Sequence, residues 1–150
     1  MADIKSPEAR SKNMAAIKNR NTEPEVFFRR KLFSIGLRYR INSKKVIGHP
    51  DLWLKKYNTA VFIHGCFWHR HNGCKYSTTP ETRKDFWLQK FGNNIRRDKY
   101  VKEELKRRGI KTLIVWECTV KKMKETPSVE NSVLNKIYGF INSEDLYLEL

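Results

Sequence analysis

The sequence predicts an α/β fold, in which a mixed β-sheet carries helices on its faces. Two strand-length apolar runs, at 59–63 and 110–116, form the predicted centre of the sheet. Segments with apolar residues at helical spacing lie around them, and the predicted order is α-α-β-β-β-α-β-α. A chain of 150 residues can bury its own core, so residues 1–150 are interpreted as a single domain.

Two helices are predicted in the first part of the chain. Residues 6–21 are mostly polar, with Met14 and Ile17 three positions apart, which is typical of a short helix with a narrow apolar stripe. In the second helix Thr22 is the predicted N-cap and Glu25 the reciprocal residue of a capping box. Its predicted buried face consists of Val26, Phe28, Leu32, Phe33 and Ile35.

The middle of the chain predicts a hairpin followed by a long loop. Alternation over 37–41 indicates a half-buried strand, and strands at 51–54 and 59–63 are joined by a turn at 55–58. From 64 to 80 the periodicity disappears. Because such long irregular segments are unusual inside a compact domain, we expect this loop to be functional.

The second half predicts a long helix, a central strand and a final helix. The helix covers 81–108 and ends at Gly109, the strand covers 110–116, and the final helix covers 128–141. The inward face of the long helix is predicted to contain Leu88, Phe91, Ile95, Val101 and Leu105.

The net charge of the chain indicates which class of molecule it binds. Thirty-one Lys and Arg residues against 16 Asp and Glu give a formal charge of +15, spread along the whole chain. A small domain this basic usually binds a polyanion, and nucleic acid is the expected partner. An anionic membrane surface is the alternative polyanion, but it requires a basic amphipathic helix with an apolar face left over, so no membrane partner is expected. The sequence contains no apolar run long enough for a membrane span and no apolar segment typical of a signal peptide, which argues against a transmembrane or secreted protein.

The long loop carries a pattern of metal ligands. Cys66, His71 and Cys74 lie within nine residues, and Cys118 follows the central strand. An odd number of cysteines argues against a disulfide framework, whereas three thiolates and one imidazole form a common structural zinc site. The alternative is three inert thiols beside a surface histidine, but a loop poor in apolar residues favours the zinc site.

A second group of residues suits a divalent-metal nuclease site. Asp51 opens one hairpin strand and His64 ends its partner, so antiparallel pairing brings them together. A carboxylate there suits Mg²⁺, and His69 could act as a general base on water. For Glu25, the capping interpretation is favoured on spacing alone.

Two aromatic pairs lie in basic surroundings. Phe67 and Trp68 are adjacent in the loop, and Phe86 and Trp87 are adjacent near the start of the long helix. Such rings either insert into a DNA stack or cover the core; the two interpretations are balanced for Trp68 and Trp87, and the core is favoured for Phe86. The candidate phosphate-binding residues are Lys12, Lys18, Arg20, Arg96, Arg97, Lys99 and Lys106 to Arg108.

These segments together resemble the very short patch repair endonucleases, from the N-terminus to about Cys118. The motifs that carry the resemblance are Ser11-Lys12-Asn13-Met14, Asn21-Thr22-x-x-Glu25, Gly48-x-Pro50-Asp51, Phe62-x-His64-Gly65-Cys66-Phe67-Trp68-His69, Phe86-Trp87-Leu88-x-Lys90 and Leu113-Ile114-Val115-Trp116-Glu117-Cys118. The run around Cys66, with the later Trp-Glu-Cys, is highly specific.

The resemblance implies a bacterial mismatch endonuclease with a restriction-endonuclease-like fold. Family members nick duplex DNA on the 5′ side of a thymine mispaired with guanine, a lesion that arises when 5-methylcytosine deaminates. The gene usually accompanies a cytosine-5 DNA methyltransferase. The resemblance therefore implies Mg²⁺-dependent phosphodiester hydrolysis by a cytoplasmic, nucleoid-associated monomer.

Individual roles are implied by matching positions. Asp51 and the main-chain carbonyl of Ile63 match the Mg²⁺ ligands, His69 matches the general base, and His64 and Glu25 match further active-site residues. The zinc ligands match Cys66, His71, Cys74 and Cys118. The DNA-contacting positions match an N-terminal segment, 1–21, with Lys12 and Met14, and then Phe67, Trp68, Trp87, Lys90 and Asn94.

The sequence departs from the family pattern at three places. These departures bear on the DNA sequence that the enzyme recognises more than on the cleavage chemistry. Ile63 stands where Thr is expected, His49 stands where Arg often precedes Pro-Asp, and the Asn72-Gly73 stretch is one residue longer than usual.

Two alternatives remain open at this point. One is a restriction-type endonuclease that cuts both strands, usually as a dimer, and the absence of an obvious dimerisation helix favours nicking. The other is a non-catalytic zinc-stabilised DNA-binding module, which would not require Asp51, His64 and His69 together.

Overall fold

The computed structural model describes residues 21–150, and the first 20 residues fall outside it. The predicted N-terminal helix, Lys12 and Met14 therefore lie outside the described residues. Within 21–150 the chain forms a mixed α/β fold with a five-stranded sheet. Its helices are α1 Glu23–Ser34, α2 Lys84–Arg107, α3 Glu117–Glu125 and α4 Pro127–Ile141, and its strands are β1 Arg40–Ile41, β2 Leu52–Leu54, β3 Thr59–His64, β4 Lys111–Trp116 and β5 Tyr147–Glu149.

The strands lie in sequence order across the sheet. β1, β2 and β3 pair antiparallel, whereas β3, β4 and β5 pair parallel, and this arrangement confirms the prediction of a mixed sheet. A single-turn 3-10 helix, Lys55–Tyr57, closes the hairpin between β2 and β3. The parallel pairs require long crossovers, and α2 supplies the crossover from β3 to β4.

The sheet separates two apolar cores. On one face Val61, Leu113 and Val115 pack with α1, α3 and α4. On the other face Phe62 and Ile114 pack with the loop after β3 and with the end of α2. All six residues of β4 are buried, as expected for a central strand that is covered on both faces.

Several predicted boundaries differ from the structure. The strand predicted over 37–41 is reduced to the two exposed residues of β1, and α2 begins at Lys84 rather than at residue 81. α3 and β5 were not predicted. α3 follows β4 without a turn residue, and within it only Val120 and Met123 are buried, so its apolar stripe is too short to be recognised.

The predicted buried faces are partly right. Phe28, Leu32, Phe91 and Leu105 are buried, whereas Phe33, Ile35, Leu88 and Ile95 are exposed. In α1, Phe33 directly follows Leu32 and so lies about 100° away from the buried stripe. In α2, Trp87 and Phe91 define the buried face, and Leu88 and Ile95 each lie one residue beyond an inward-facing position.

The loop before β2 is held close to α2 by a glycine. Gly48 has a φ of +83°, and a Cβ built there would lie 2.5 Å from Cγ1 of Val101. Only glycine allows both this backbone conformation and this approach. The contact fixes the chain just before Asp51 against the middle of α2. Within residues 21–150, no helix is both long and apolar enough to cross a membrane.

Candidate functional site

The register between β3 and β4 assembles the ends of the two strands. His64 is the Cα partner of Trp116 in this parallel pair. Cys66 lies two residues after His64, and Cys118 lies two residues after Trp116. The register therefore brings together two cysteines that are 52 positions apart (118 − 66).

The predicted zinc ligands converge in the structure. Ligand atoms of Cys66, His71, Cys74 and Cys118 all lie within 4.8 Å of one another. Nδ1 of His71 is 3.6 Å from Sγ of Cys66 and 3.4 Å from Sγ of Cys118. All three cysteines are free, and the Ser77 hydroxyl lies 2.7 and 2.8 Å from the carbonyl oxygens of Cys66 and His71. Three thiols and an imidazole nitrogen at these separations fit a tetrahedral metal site.

The rest of the loop is held by Arg70. Its guanidinium donates to the carbonyl oxygens of Phe67, Ser77 and Thr78 at 3.2, 2.9 and 2.8 Å. The same group lies 4.0 Å from the centroid of the Phe91 ring on α2. Arg70 thus replaces the missing secondary-structure hydrogen bonds of this segment and fixes it to the helix.

Asp51 lies beside β3, as the predicted hairpin requires. The backbone N–H of Ile63 donates to Oδ2 of Asp51 at 2.7 Å. The pKa of Asp51 is raised to about 6, mainly by burial and also by the negative charge of nearby Glu25, while the hydrogen bond from Ile63 opposes the shift. Burial makes this carboxylate difficult to ionise in the absence of a cation. This behaviour fits a metal ligand, because a bound cation stabilises the ionised form.

The capping interpretation of Glu25 is wrong. Thr22 makes no side-chain hydrogen bond at the start of α1. Glu25 instead points inward with only 3% of its surface exposed, and Oε1 has no hydrogen-bond partner among the described residues. Within residues 21–150 the nearest cation to it is Nη1 of Arg29, at 3.9 Å. An orphaned carboxylate oxygen that interacts with Asp51 adds a second oxygen donor suited to a hard cation.

A second cluster contains His64, His69 and Asp98. The two imidazole rings are stacked, with centroids 3.9 Å apart and planes 4° from parallel. Nδ1 of His69 lies 2.7 Å from Oδ2 of Asp98, and ligand atoms of all three residues lie within 4.8 Å of one another. Burial lowers the pKa of His64 to about 3, so this ring is neutral at physiological pH.

The sequence prediction did not include Asp98. This residue lies on α2, one turn after Asn94, and both residues line the cleft. The signal that was available is the helical i, i+4 spacing from a predicted DNA-contacting residue to a carboxylate. That signal becomes specific only once the rotation of α2 relative to the sheet is known.

The side chains of His64, His69 and Asp51, three of the predicted active-site residues, line one cleft. Its volume is about 270 Å³, and Asp51, His64, His69 and Asp98 lie along its wall. The polyanion-binding character predicted from charge is present locally, because the wall also includes Arg97 and Lys102 of α2. Carboxylates, imidazoles and cations that share one cleft form an arrangement able to bind a phosphodiester and activate water.

The aromatic residues form a separate group beside the cleft. Phe67, Trp68, Trp87 and Phe91 make a continuous cluster with neighbouring ring centroids 5.1 to 5.8 Å apart. Trp87 is only 6% exposed, whereas Phe86 is 44% exposed, so the prediction that Phe86 is a core residue is wrong. Helical phase explains the exchange, because Trp87 and not Phe86 lies four residues before buried Phe91.

The remaining DNA-contact candidates lie on α2. Asn94 donates to the carbonyl oxygen of Trp68 at 3.0 Å, and Nζ of Lys90 is 5.8 Å from the centroid of the Trp68 ring. The other basic candidates on or next to α2 are exposed: Arg96, Arg97, Lys99, Lys106, Arg107 and Arg108. α2 therefore presents polar groups to the loop and basic groups to solvent.

Comparison with known proteins identifies relatives over most of the chain. The family model described as DNA mismatch endonuclease Vsr matches residues 2–75. The type II nicking enzyme V.NmeAIP of Neisseria meningitidis serogroup A / serotype 4A is 46% identical over 121 residues, which are 81% of this chain and 86% of that enzyme. DNA mismatch endonuclease Vsr of Escherichia coli K12 is 40% identical over 81% of this chain and 77% of its own length. The type II nicking enzyme V.HpaIIP of Haemophilus parainfluenzae is 39% identical over 85% and 92%, respectively.

Proposed function

Because this chain belongs to the Vsr family of DNA mismatch endonucleases, we propose that it nicks duplex DNA on the 5′ side of the thymine in a T:G mismatch. The family makes the chain a DNA endonuclease of the nicking type. The observation that carries the proposed chemistry is the convergence of Asp51, His64, His69 and Asp98 in one cleft with two basic side chains.

The proposed cation site consists of Asp51 and the main-chain carbonyl of Ile63, with Glu25 close by. The hydrogen bond from Ile63 N–H to Asp51 supports this pairing, because it holds the carboxylate against the end of β3. When bound there, Mg²⁺ polarises the scissile phosphate and stabilises the negative charge that develops in the reaction. The partner-free oxygen of Glu25 supports a site with more than one carboxylate.

We assign the role of general base to His69. An ionised carboxylate only accepts hydrogen bonds, so Nδ1–H of His69 donates to Asp98, and Nε2 is left free to take a proton from water. The protonated imidazole that results is stabilised by the charge of Asp98. His64, which stacks on His69 and stays neutral, fixes the plane of the base without repelling its new charge.

The aromatic cluster is the proposed mismatch reader. Trp68 is partly exposed, and its ring packs against the rings of Phe67 and Trp87. Insertion of a ring beside a base pair requires unstacking, which is least unfavourable where the pair is already mismatched. Lys90, Asn94 and the N-terminal Lys12 and Met14 are the proposed contacts around the inserted ring.

The wider assignment follows from the same premise. We propose that the five-stranded sheet is of the restriction-endonuclease-like type and that the Cys₃His cluster holds a structural zinc ion. Residues 1–150 act as one endonuclease domain and work as a monomer on DNA, in the cytoplasm of a bacterium. The mismatches at which it acts arise by deamination of the 5-methylcytosine that a cytosine-5 DNA methyltransferase produces.

Strand-resolved cleavage tests this function. Duplexes with one T:G pair in a methyltransferase-site context, each strand end-labelled in turn, are incubated with the protein and Mg²⁺, beside T:A and C:G duplexes of the same sequence. We expect one nick, 5′ of the mismatched thymine, and no cut in the matched duplexes. Cutting of both strands in matched DNA would support the restriction-type alternative, and binding without cleavage would support the DNA-binding module.

A further inference from the structure

A continuous series of rings connects the metal cluster with the cleft. His71, a proposed metal ligand, stacks on Trp116 with centroids 4.2 Å apart and planes 6° from parallel. Trp116 meets His64 edge to face at 5.3 Å, and His64 stacks on His69 at 3.9 Å. The series ends at the hydrogen bond between His69 and Asp98.

Trp116 is the only member of this series that belongs to neither site. It is the last residue of β4, it is 7% exposed, and its backbone N–H donates to the carbonyl oxygen of Leu150 at 3.0 Å. The indole Nε1 has no hydrogen-bond partner in the described part of the chain. A buried indole N–H usually has a hydrogen-bond partner, and this one has none within residues 21–150. We therefore attribute the placement of the Trp116 side chain to its ring contacts rather than to a hydrogen bond.

The backbone of Trp116 is fixed by the sheet, and its indole is oriented by the two histidines that it contacts. It is the register partner of His64 in a strand that is buried along its whole length. A ring held by the central sheet thus restrains one metal ligand on one side and one imidazole of the cleft on the other. The aromatic contacts favour defined orientations, which apolar packing by an aliphatic side chain does not supply.

We propose that Trp116 is a positioning residue that sets the orientation of His71 in the metal cluster and of His64 in the cleft. The inference rests on the proposed function for its effect on cleavage, but not for its effect on the metal site. Residues that orient metal ligands typically change metal affinity 10- to 100-fold when substituted. A displacement of about 1 Å near reacting groups changes rates by about a hundredfold.

The test compares Trp116→Leu with Trp116→Phe and with a matched control. The control is Trp53→Leu, because Trp53 packs against the same core cluster but makes no ring contact with either histidine. Three quantities are measured in each variant: the single-turnover nicking rate at saturating T:G duplex, the absorption spectrum of Co²⁺ bound in place of zinc, and the affinity for Co²⁺. The duplex dissociation constant is measured in parallel.

We expect Trp116→Leu to lower the nicking rate at least tenfold, to weaken Co²⁺ binding at least tenfold and to change its visible spectrum. The duplex dissociation constant should stay within about twofold, because phosphate contacts dominate it. Trp116→Phe should recover most of both effects, and Trp53→Leu should show neither. If Trp116→Leu matches Trp53→Leu in rate and in Co²⁺ spectrum, the proposal is overturned.

A second variant decides the matter if Trp116→Leu does not fold. His71→Cys keeps four metal ligands but removes the ring that stacks on Trp116. We expect it to retain about one zinc per chain and yet to nick severalfold more slowly than the wild type. A zinc-loaded His71→Cys protein with the wild-type rate would overturn the proposal. If the wild type itself does not nick, the proposed function fails, and the Co²⁺ measurements alone still test Trp116.

Discussion

His69 and Asp98 are joined by a hydrogen bond of 2.7 Å between Nδ1 and Oδ2, although 29 positions separate them. The imidazole comes from the irregular loop and the carboxylate from the middle of α2. The bond fixes the tautomer of His69, so that Nε2 is the nitrogen able to accept a proton. The orientation of the proposed base therefore depends on a residue that none of the sequence motifs contains.

Asp98→Asn should lower the nicking rate by about 10²- to 10⁴-fold while the affinity for the T:G duplex changes little. The amide removes the negative charge that stabilises a protonated His69 and allows the opposite tautomer. Single-turnover rates and duplex binding measure the two effects separately. Asp85→Asn makes the same charge change at an exposed position of the same helix and should have less than a twofold effect on the rate. Equal rates in both variants would remove Asp98 from the mechanism.

Asp51→Asn should abolish nicking and at the same time stabilise the fold at neutral pH when no divalent cation is added. In the folded protein the pKa of Asp51 is about 6, whereas its ordinary value is 3.8. Between these values the folded state holds more protons than the unfolded state, so the free energy of unfolding decreases as pH rises. Above pH 6 the ionised carboxylate destabilises the fold by up to about 3 kcal/mol.

Thermal or urea unfolding at pH 7.5 and at pH 4 checks this stability effect. Asn cannot ionise, so we expect the variant to be more stable than the wild type at pH 7.5 and nearly equal to it at pH 4. Asp145→Asn, at an exposed position, should be neutral at both pH values. A variant that is less stable at pH 7.5 would show that the carboxylate supports the fold instead of destabilising it.

The part of the site that the sequence predicts is the part fixed by short-range geometry. Asp51 and His64 line the same cleft because a hairpin turn leaves few possible registers, and Cys66, His71 and Cys74 meet because they share one loop. Cys118 needed one additional condition, the parallel register of β3 with β4. The α2 crossover allows these strands to pair in parallel, but their adjacency in the sheet is seen only in the structure.

The residues that escaped prediction are those whose position depends on helix rotation. Whether Phe86 or Trp87 is buried, and whether Asp98 faces solvent or the cleft, is decided by how α2 rests on the sheet. Glu25 shows a related conflict. Its spacing from Thr22 matches a capping box, whereas in the structure its side chain is buried beside Asp51. Local sequence patterns cannot rank such competing interactions, since the decisive contacts come from distant segments.

The Cys₃His cluster should contain about one zinc per chain in protein purified without added metal, as measured by elemental analysis. Removal of the ion with a strong chelator should lower the unfolding temperature sharply, because binding free energies of structural zinc sites are on the order of 10 kcal/mol. Cys118→Ser should lose the metal, whereas His49→Asn, which changes a histidine outside the cluster, should keep it. A stable, active protein without zinc would contradict this assignment.

Trp68→Ala should reduce mismatch discrimination without reducing general DNA affinity. The ring of Trp68 is partly exposed, and its loss leaves the hydrogen bond from Asn94 to the Trp68 backbone in place. Its insertion is least unfavourable beside a weakened pair, so we expect nicking of the T:G duplex and its binding preference over T:A to fall about tenfold or more.

Binding of Trp68→Ala to matched DNA and the salt dependence of that binding should persist, because they come from Lys and Arg contacts with phosphate. Tyr138→Ala removes an exposed ring from α4, which packs on the opposite face of the sheet, and should change nothing. Zinc content distinguishes the two possible roles of Trp68: loss of the metal in Trp68→Ala would make the ring a structural part of the loop, and full discrimination with one zinc per chain would exclude it as the wedge.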